Sequence, residues 1–308
     1  MNVFFGEDTR LGGAIVIPEA WTGRLLDRTI IVEGIMPIEC GIEPRRLTRD
    51  QNHDLDYQVT GLAFDLHGRL GRLHDEKIYQ VELASACDRI GLPVRTEVPL
   101  RLSFGDYEKP YFMDLVVDDA LMYGLKTTES LNRRHHGQAL NYLLLSGLIF
   151  GKLLNFRPPS VKYHFVTTTL SVGDRHDITI EDDSWTPLNE VSARLRELMG
   201  ALLQDWGGFL DASIYFDAIC HFLGGIDAVV SPVSVRSSGR SIGHERFALL
   251  TDDVAFEITC LKDYVDGFES HLRRKIEHTP LKAVEWINLE GHIVTFKTVF
   301  APSAHQIS

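Results

Sequence analysis

The chain has 308 residues, 44% hydrophobic and 24% charged, a balance typical of soluble globular proteins with room for about two domains. That excludes a disordered chain, a fibrous repeat and a coiled coil, and the longest apolar stretch, Tyr142 to Gly151, is too short to span a bilayer. The net charge of −12 argues against a protein coated with nucleic acid, but it is uneven: residues 1–57 carry −4, residues 58–166 carry +1 and residues 167–308 carry −9. The middle segment is therefore the part least repelled by a polyanion.

Residues 1–57 hold two short apolar stretches, Gly13–Pro18 and Thr29–Pro37, followed by a polar tract from Glu43 to Asp56. They read as an N-terminal extension, a strand pair or short helix with a linker, and with charged residues near the start no signal peptide is expected. From Val59 the apolar residues Leu62, Leu66, Leu70, Leu73, Ile78, Val81, Leu83, Ala86 and Ile90 follow mostly helical spacing up to Gly91-Leu92-Pro93. Val94–Phe104 alternates as a half-buried strand, a turn covers Gly105–Pro110, and Tyr111–Val117 and Ala120–Lys126 form a hairpin about Asp118-Asp119. A helix over Gly137–Ser146 and a buried strand over Ile149–Phe156 complete the unit, which Pro158-Pro159 stops. Helix, three strands, helix and strand make an α/β unit whose sheet lies between helices.

The C-terminal half repeats this order: helices over Leu188–Trp206 and from Ile214 to Gly224, strands near Val229–Val235, Phe247–Leu250 and Val254–Lys262, a helix over Tyr264–His278, and a hairpin of Val284–Leu289 with His292–Phe300. Matched residues keep nearly constant offsets, 136 for Tyr79 and Tyr215 and 133 for Asn155 and Asn288. Residues 167–308 are thus expected to be a second α/β unit, a possible degenerate duplicate that packs as the second half of an internal pseudo-dimer.

The strongest chemical signal lies in the middle segment. Asp114 and Lys126 fall on neighbouring antiparallel strands, Gly124 shares a face with Lys126, Glu76 opens the preceding helix, and Gln138 and Tyr142 stand four apart on the next. A carboxylate beside a lysine suits phosphodiester hydrolysis, with the carboxylate on Mg²⁺ and the lysine at the phosphate.

Leu70–Phe156 resembles the GxxExxY proteins, a RecB-related branch of the PD-(D/E)XK (restriction-endonuclease-like) nuclease superfamily. The matching pieces are Leu70-Gly71, Glu76-Lys77-Ile78-Tyr79, Gly91-Leu92-Pro93-Val94, Phe112-Met113-Asp114-Leu115-Val116-Val117, Leu125-Lys126, Gln138 with Asn141-Tyr142-Leu143, and Gly147 through Asn155-Phe156. The resemblance implies a nuclease-like hydrolase at residues 58–166, with Asp114 and Glu76 on Mg²⁺ or Mn²⁺, Lys126 as the motif lysine and Gln138 and Tyr142 as the QxxxY pair. DNA or RNA is then the implied partner. The chain departs from the family where a V-E-L-K string is usual: it reads Tyr123-Gly124-Leu125-Lys126, so Gly124 supplies no ligand. Two alternatives follow. Glu129 or Glu82 replaces the lost ligand, or the site is degenerate and the fold serves as a nucleic-acid or protein interaction module.

The other signals are structural. Gly239-Arg240-Ser241-Ile242-Gly243 fits a surface turn better than a nucleophile elbow, since no buried strand precedes it. Arg133-Arg134 is the compact basic cluster beside the candidate site and suits phosphate contact, while His135-His136 reads as a solvated helix start. Trp185, Trp206 and Trp286 read as core or domain-interface anchors. Cys40, Cys87, Cys220 and Cys260 form no CxxC pair and are expected to be buried free thiols in a reducing cytoplasm. No glycine-rich phosphate loop is present, so no nucleotide cofactor is expected.

Overall fold

In a computed structural model, residues 37–302 are described and fold as one unit; the first 36 residues of the extension expected over 1–57 lie outside them. The first sheet is built from β1 (Ile38–Cys40), β2 (Val94–Phe104), β3 (Tyr107–Val117), β4 (Leu121–Lys126), β5 (Phe150–Asn155) and β6 (Lys162–Thr167), in that spatial order. Only β4 and β5 run parallel. Helices α1 (Arg49–Leu70) and α2 (Glu76–Arg89) cover one face, and α3 (Arg133–Ser146) connects β4 to β5 on the other.

Local chemistry sets these boundaries. A capping box between Thr48 and Gln51 starts α1 ten residues before Val59, inside the tract read as a linker. The polar start escapes an apolar-periodicity test because Asn52 and Leu55 are its only buried residues before Val59. β3 begins at Tyr107, not Tyr111, because Gly105-Asp106 closes the β2–β3 hairpin and Pro110 is accommodated within the strand. Asp118 and Asp119 both take left-handed φ values, 54° and 49°, in the three-residue turn, Asp118 to Ala120, that joins β3 to β4.

The chain then forms α4 (Val172–His176), β7 (Thr179–Ser184), α5 (Glu190–Trp206), α6 (Ala212–Phe222), α7 (Ile226–Val229), β8 (Val230–Ser237), β9 (Arg240–Thr251), β10 (Val254–Thr259), α8 (Val265–Glu277), β11 (Ala283–Glu290) and β12 (Ile293–Phe300). Its sheet has the order β7-β12-β11-β10-β9-β8. From β8 to β12 the pairings reproduce those from β2 to β6, including one parallel pair, β10 with β11. Two buried details recur. The Tyr79 hydroxyl donates to the Gly71 carbonyl at 2.7 Å, and the Tyr215 hydroxyl to that of Gly207 at 2.6 Å. Asn155 bridges both backbone groups of Thr128, and Asn288 those of Leu261. The chain thus forms two mixed α/β units of like order.

Three hydrophobic cores hold the helices and sheets together. Leu55, Val59, Leu66, Tyr79 and Leu83 pack α1 and α2 on the outer face of the first sheet. The largest core joins α3 and that sheet's inner face to α5, α6 and the inner face of the second sheet. Val233, Phe247, Trp286 and Ile276 belong to the core beneath α8. Trp206, fully buried, donates from its indole nitrogen to the Ser103 carbonyl at 2.9 Å and so ties α5 to β2. Cys87 and Cys220 are buried, but Cys40 is half-buried and Cys260 exposed, so only two of the four thiols meet the expectation. Arg240 to Gly243 lies in the exposed start of β9 after the Ser238-Gly239 turn, as expected of a surface turn.

Candidate active site

The β3–β4 hairpin pairs Leu115 with Tyr123, which brings Asp114 beside Gly124. Asp114 Oδ2 accepts the Leu125 backbone N–H at 2.8 Å. Lys126 Nζ lies 3.4 Å from the same oxygen, 3.3 Å from Glu76 Oε1 and 2.6 Å from the Leu125 carbonyl. Glu76 reaches this point because it is the first residue of α2. Burial pushes its carboxyl above the usual range, and the nearby lysine only partly reverses this. Glu76 therefore gives up its proton less readily than an exposed glutamate.

Gln138 and Tyr142 face the site from α3 and join each other, Gln138 Nε2 donating to the Tyr142 hydroxyl at 3.0 Å. With Asp114, Met122, Gly124, Lys126, Ala139 and Leu153 they line a cavity of about 10 Å³, room for about one water. The space opposite Gly124 is not vacant. A Cβ there would stand 2.8 Å from Leu153 Cδ2 and 3.9 Å from Asp114 Oδ2. It would face Asp114 on the side of Lys126, but only if Leu153 moved.

The remaining candidates lie apart. Glu129 is exposed in the loop after β4, with no hydrogen bond or ion pair to Asp114, Glu76 or Lys126 among the described residues. Glu82 pairs with Arg69 at 3.7 Å on the α1–α2 side. Arg133 and Arg134 are exposed in the first turn of α3, where His135 completes a capping box with Asn132. Burial, followed by the charge of Lys126, lowers the His135 pKa.

Two residues enter the site unannounced. Gln80, one turn after Glu76, is 3% exposed; its amide donates to the Asp114 carbonyl and to Glu97 Oε1 at 3.0 Å. Its i, i+4 spacing from Glu76 was the available signal. Glu97 has a left-handed φ of 51° within β2, and hydrogen bonds from Lys77 and Gln80 hold its carboxyl below the usual range. No motif marks that conformation.

A divalent ion would find two carboxylates, Asp114 and Glu76, and the Leu125 carbonyl, all now directed at one ammonium. Mg²⁺ can be held by one or two carboxylates if it keeps its waters, so these donors fit a weakly bound ion. Among the described residues no group of three or more His, Cys, Asp and Glu side chains is gathered to hold a metal.

The second unit shows what the same location becomes without these residues. Asn155 pairs with Lys126 as Asn288 pairs with Thr259, so Thr259 holds the lysine position, Glu257 that of Gly124, and Phe247 that of Asp114. Lys262, the nearest lysine in the sequence, is exposed beyond β10 and takes no part in this location. Trp286 fills the place of Leu153, and its indole nitrogen donates to Thr259 Oγ1 at 2.9 Å. By the 133-residue offset of Asn155 and Asn288, His271 corresponds to Gln138.

Residues 53–166 match the family model of the PD-(D/E)XK nuclease superfamily. No curated protein and no solved structure matches the chain. No helix among the described residues is long and apolar enough to cross a membrane.

Proposed function

We propose that the chain is a nuclease-like protein of the GxxExxY type that binds nucleic acid through its first unit and cleaves it poorly or not at all. The carrying observation is the position of Lys126: its ammonium is held by Glu76, Asp114 and the Leu125 carbonyl, while Gly124 offers no further carboxylate. The lysine thus neutralises the donors a metal would need. When bound, Mg²⁺ or Mn²⁺ would supply Lewis-acid stabilisation of a phosphate, with Asp114 and Glu76 as its protein ligands. Residues 167–308 are read as a degenerate copy that braces the first unit through the core around Trp206.

Weak metal-dependent phosphodiester hydrolysis is the second reading. It is favoured by the convergence of Asp114, Lys126, Gln138 and Tyr142 on one cavity. Calorimetric titration with Mg²⁺ and with Mn²⁺, using Asp114→Ala as control, separates the two. The first reading expects weak heats that Asp114→Ala barely alters. Tight one-to-one binding lost in Asp114→Ala, with divalent-dependent cleavage of DNA or RNA, would replace it with the second.

A further inference from the structure

From the open edge of the first sheet we infer that β6 is a platform for single-stranded nucleic acid leading to the candidate site; this rests on the nucleic-acid reading above. Among the described residues β6 pairs only with β5. Four consecutive side chains, Lys162, Tyr163, His164 and Phe165, are exposed, Tyr163 to 44% and Phe165 to 60%. Two aromatic rings left in water on a sheet edge would ordinarily be shielded.

Alternation along the strand sorts these residues by chemistry. Lys162 and His164 project to the α3 side, where the His164 ring meets that of His136 with centroids 5.0 Å apart. Arg133 and Arg134 lie one turn away at the start of α3, and Arg133, Arg134 and Lys162 make no ion pair among the described residues. On an acidic protein this is a basic island. Tyr163 and Phe165 project to the other side. The buried ammonium of Lys152 sits 4.4 and 4.3 Å from their ring centroids and is itself fixed by Asp56 at 2.6 Å and Thr60 at 2.8 Å. The rings are therefore held from within and open outward. A single strand lying along the edge sets its phosphates on the cations and folds its bases over the edge onto the rings, whereas a paired duplex has no free base faces to offer.

The platform is aligned with the site. Lys126, Asn155 and Lys162 stand side by side on β4, β5 and β6, so two strand spacings, roughly 10 Å, separate the two lysines. The second unit lacks this arrangement. β7 covers its matching edge, Phe296 replaces Tyr163 and is fully buried under Arg196, and Thr295 and Thr298 replace Lys162 and Phe165. The edge is open in the unit that keeps Asp114 and Lys126.

Fluorescence anisotropy with a short labelled oligothymidylate, and with a duplex of equal length, tests this on the full chain. The single strand should bind more tightly. Phe165→Ala should weaken it by about fivefold or more while Phe165→Tyr does not, since one stacked base contributes roughly that much. Lys162→Ala should reduce the salt slope of binding by about one, and Arg273→Ala/Arg274→Ala should change nothing. Binding lost in Arg133→Ala/Arg134→Ala but untouched by Phe165→Ala and Lys162→Ala would discard the platform and leave the nucleic-acid reading standing. Self-association that Phe165→Ala dissolves, without preference for single strands, would make β6 a protein interface instead. No binding of either probe at low salt would remove both proposals.

Discussion

Gly124 offers a test in which packing and chemistry can be separated. A Cβ at this position falls 2.8 Å from Leu153 Cδ2, about 1 Å inside an ordinary carbon–carbon contact. Leu153 is 2% exposed and the adjoining cavity is only about 10 Å³, so the leucine has little room to yield. Gly124→Ala should therefore destabilise the fold by ~1–3 kcal/mol, the usual cost of overpacking. This opposes the simpler expectation that removing a strand glycine helps. Leu153→Val withdraws the obstructing methyl, and in Gly124→Glu/Leu153→Val the two effects should offset each other, because contacting sites are not additive. Urea unfolding measures these terms, and Mn²⁺ calorimetry reads the chemistry. The double variant should bind Mn²⁺ more tightly than the parent, with the gain removed by Asp114→Ala. A Gly124→Ala protein more stable than its parent would refute the packing argument. A folded double variant with unchanged Mn²⁺ affinity would refute the idea that a single missing carboxylate is the defect.

Other outcomes follow from buried groups. Asn155→Ala and Asn288→Ala should each cost ~1–3 kcal/mol in urea unfolding, since each strands the half-buried loop backbone that the buried asparagine bridges. Glu285 is fully buried, Thr298 Oγ1 donates to its Oε2 at 2.7 Å, and burial raises its carboxyl pKa. The folded state then holds a proton more tightly than the unfolded state, so this contribution is present below the ordinary Glu range of about 4.3 and lost as pH rises through the folded value. Glu285→Gln should be more stable than the parent at neutral pH, the gap closing towards pH ~4 in pH-dependent unfolding. Trp206→Ala should cost ~3–5 kcal/mol. Because Trp206 belongs to the core shared by both sheets, fluorescence and far-ultraviolet dichroism should shift together in one transition.

Much of the architecture was legible because alternation and helical spacing operate over short distances. β2 and the span of α5 match their patterns closely, and the expected hairpin of β11 and β12 forms, turning at Gly291-His292. Features set by distant partners were not legible. β6 follows Pro158-Pro159 with only Val166 buried, so it lacks the apolar face by which a strand is recognised. Lys152 lies within the run read as a buried strand, and Asp56, 96 residues earlier, makes its burial tolerable. At the site, the sequence placed Asp114, Gly124 and Lys126 on adjoining strands through one short turn. It could not show that Leu153 fills the space beside Gly124, because β5 returns only after α3.

The paired units make this molecule a comparison with itself. Tyr79 and Tyr215 latch equivalent glycine carbonyls, and Asn155 and Asn288 clasp equivalent loops. What the two places share is upkeep of the backbone path. What differs at the pocket is its inventory: Asp114 against Phe247, Lys126 against Thr259, and Gly124 against Glu257. Asp114 and Lys126 have no charged counterparts in the second pocket, and Glu257 has none in the first, so placing one glutamate at Gly124 asks whether a scaffold is separated from its chemistry by a single side chain. The second unit closes the matching place by packing, because Trp286 stands where Leu153 does and donates its indole N–H to Thr259.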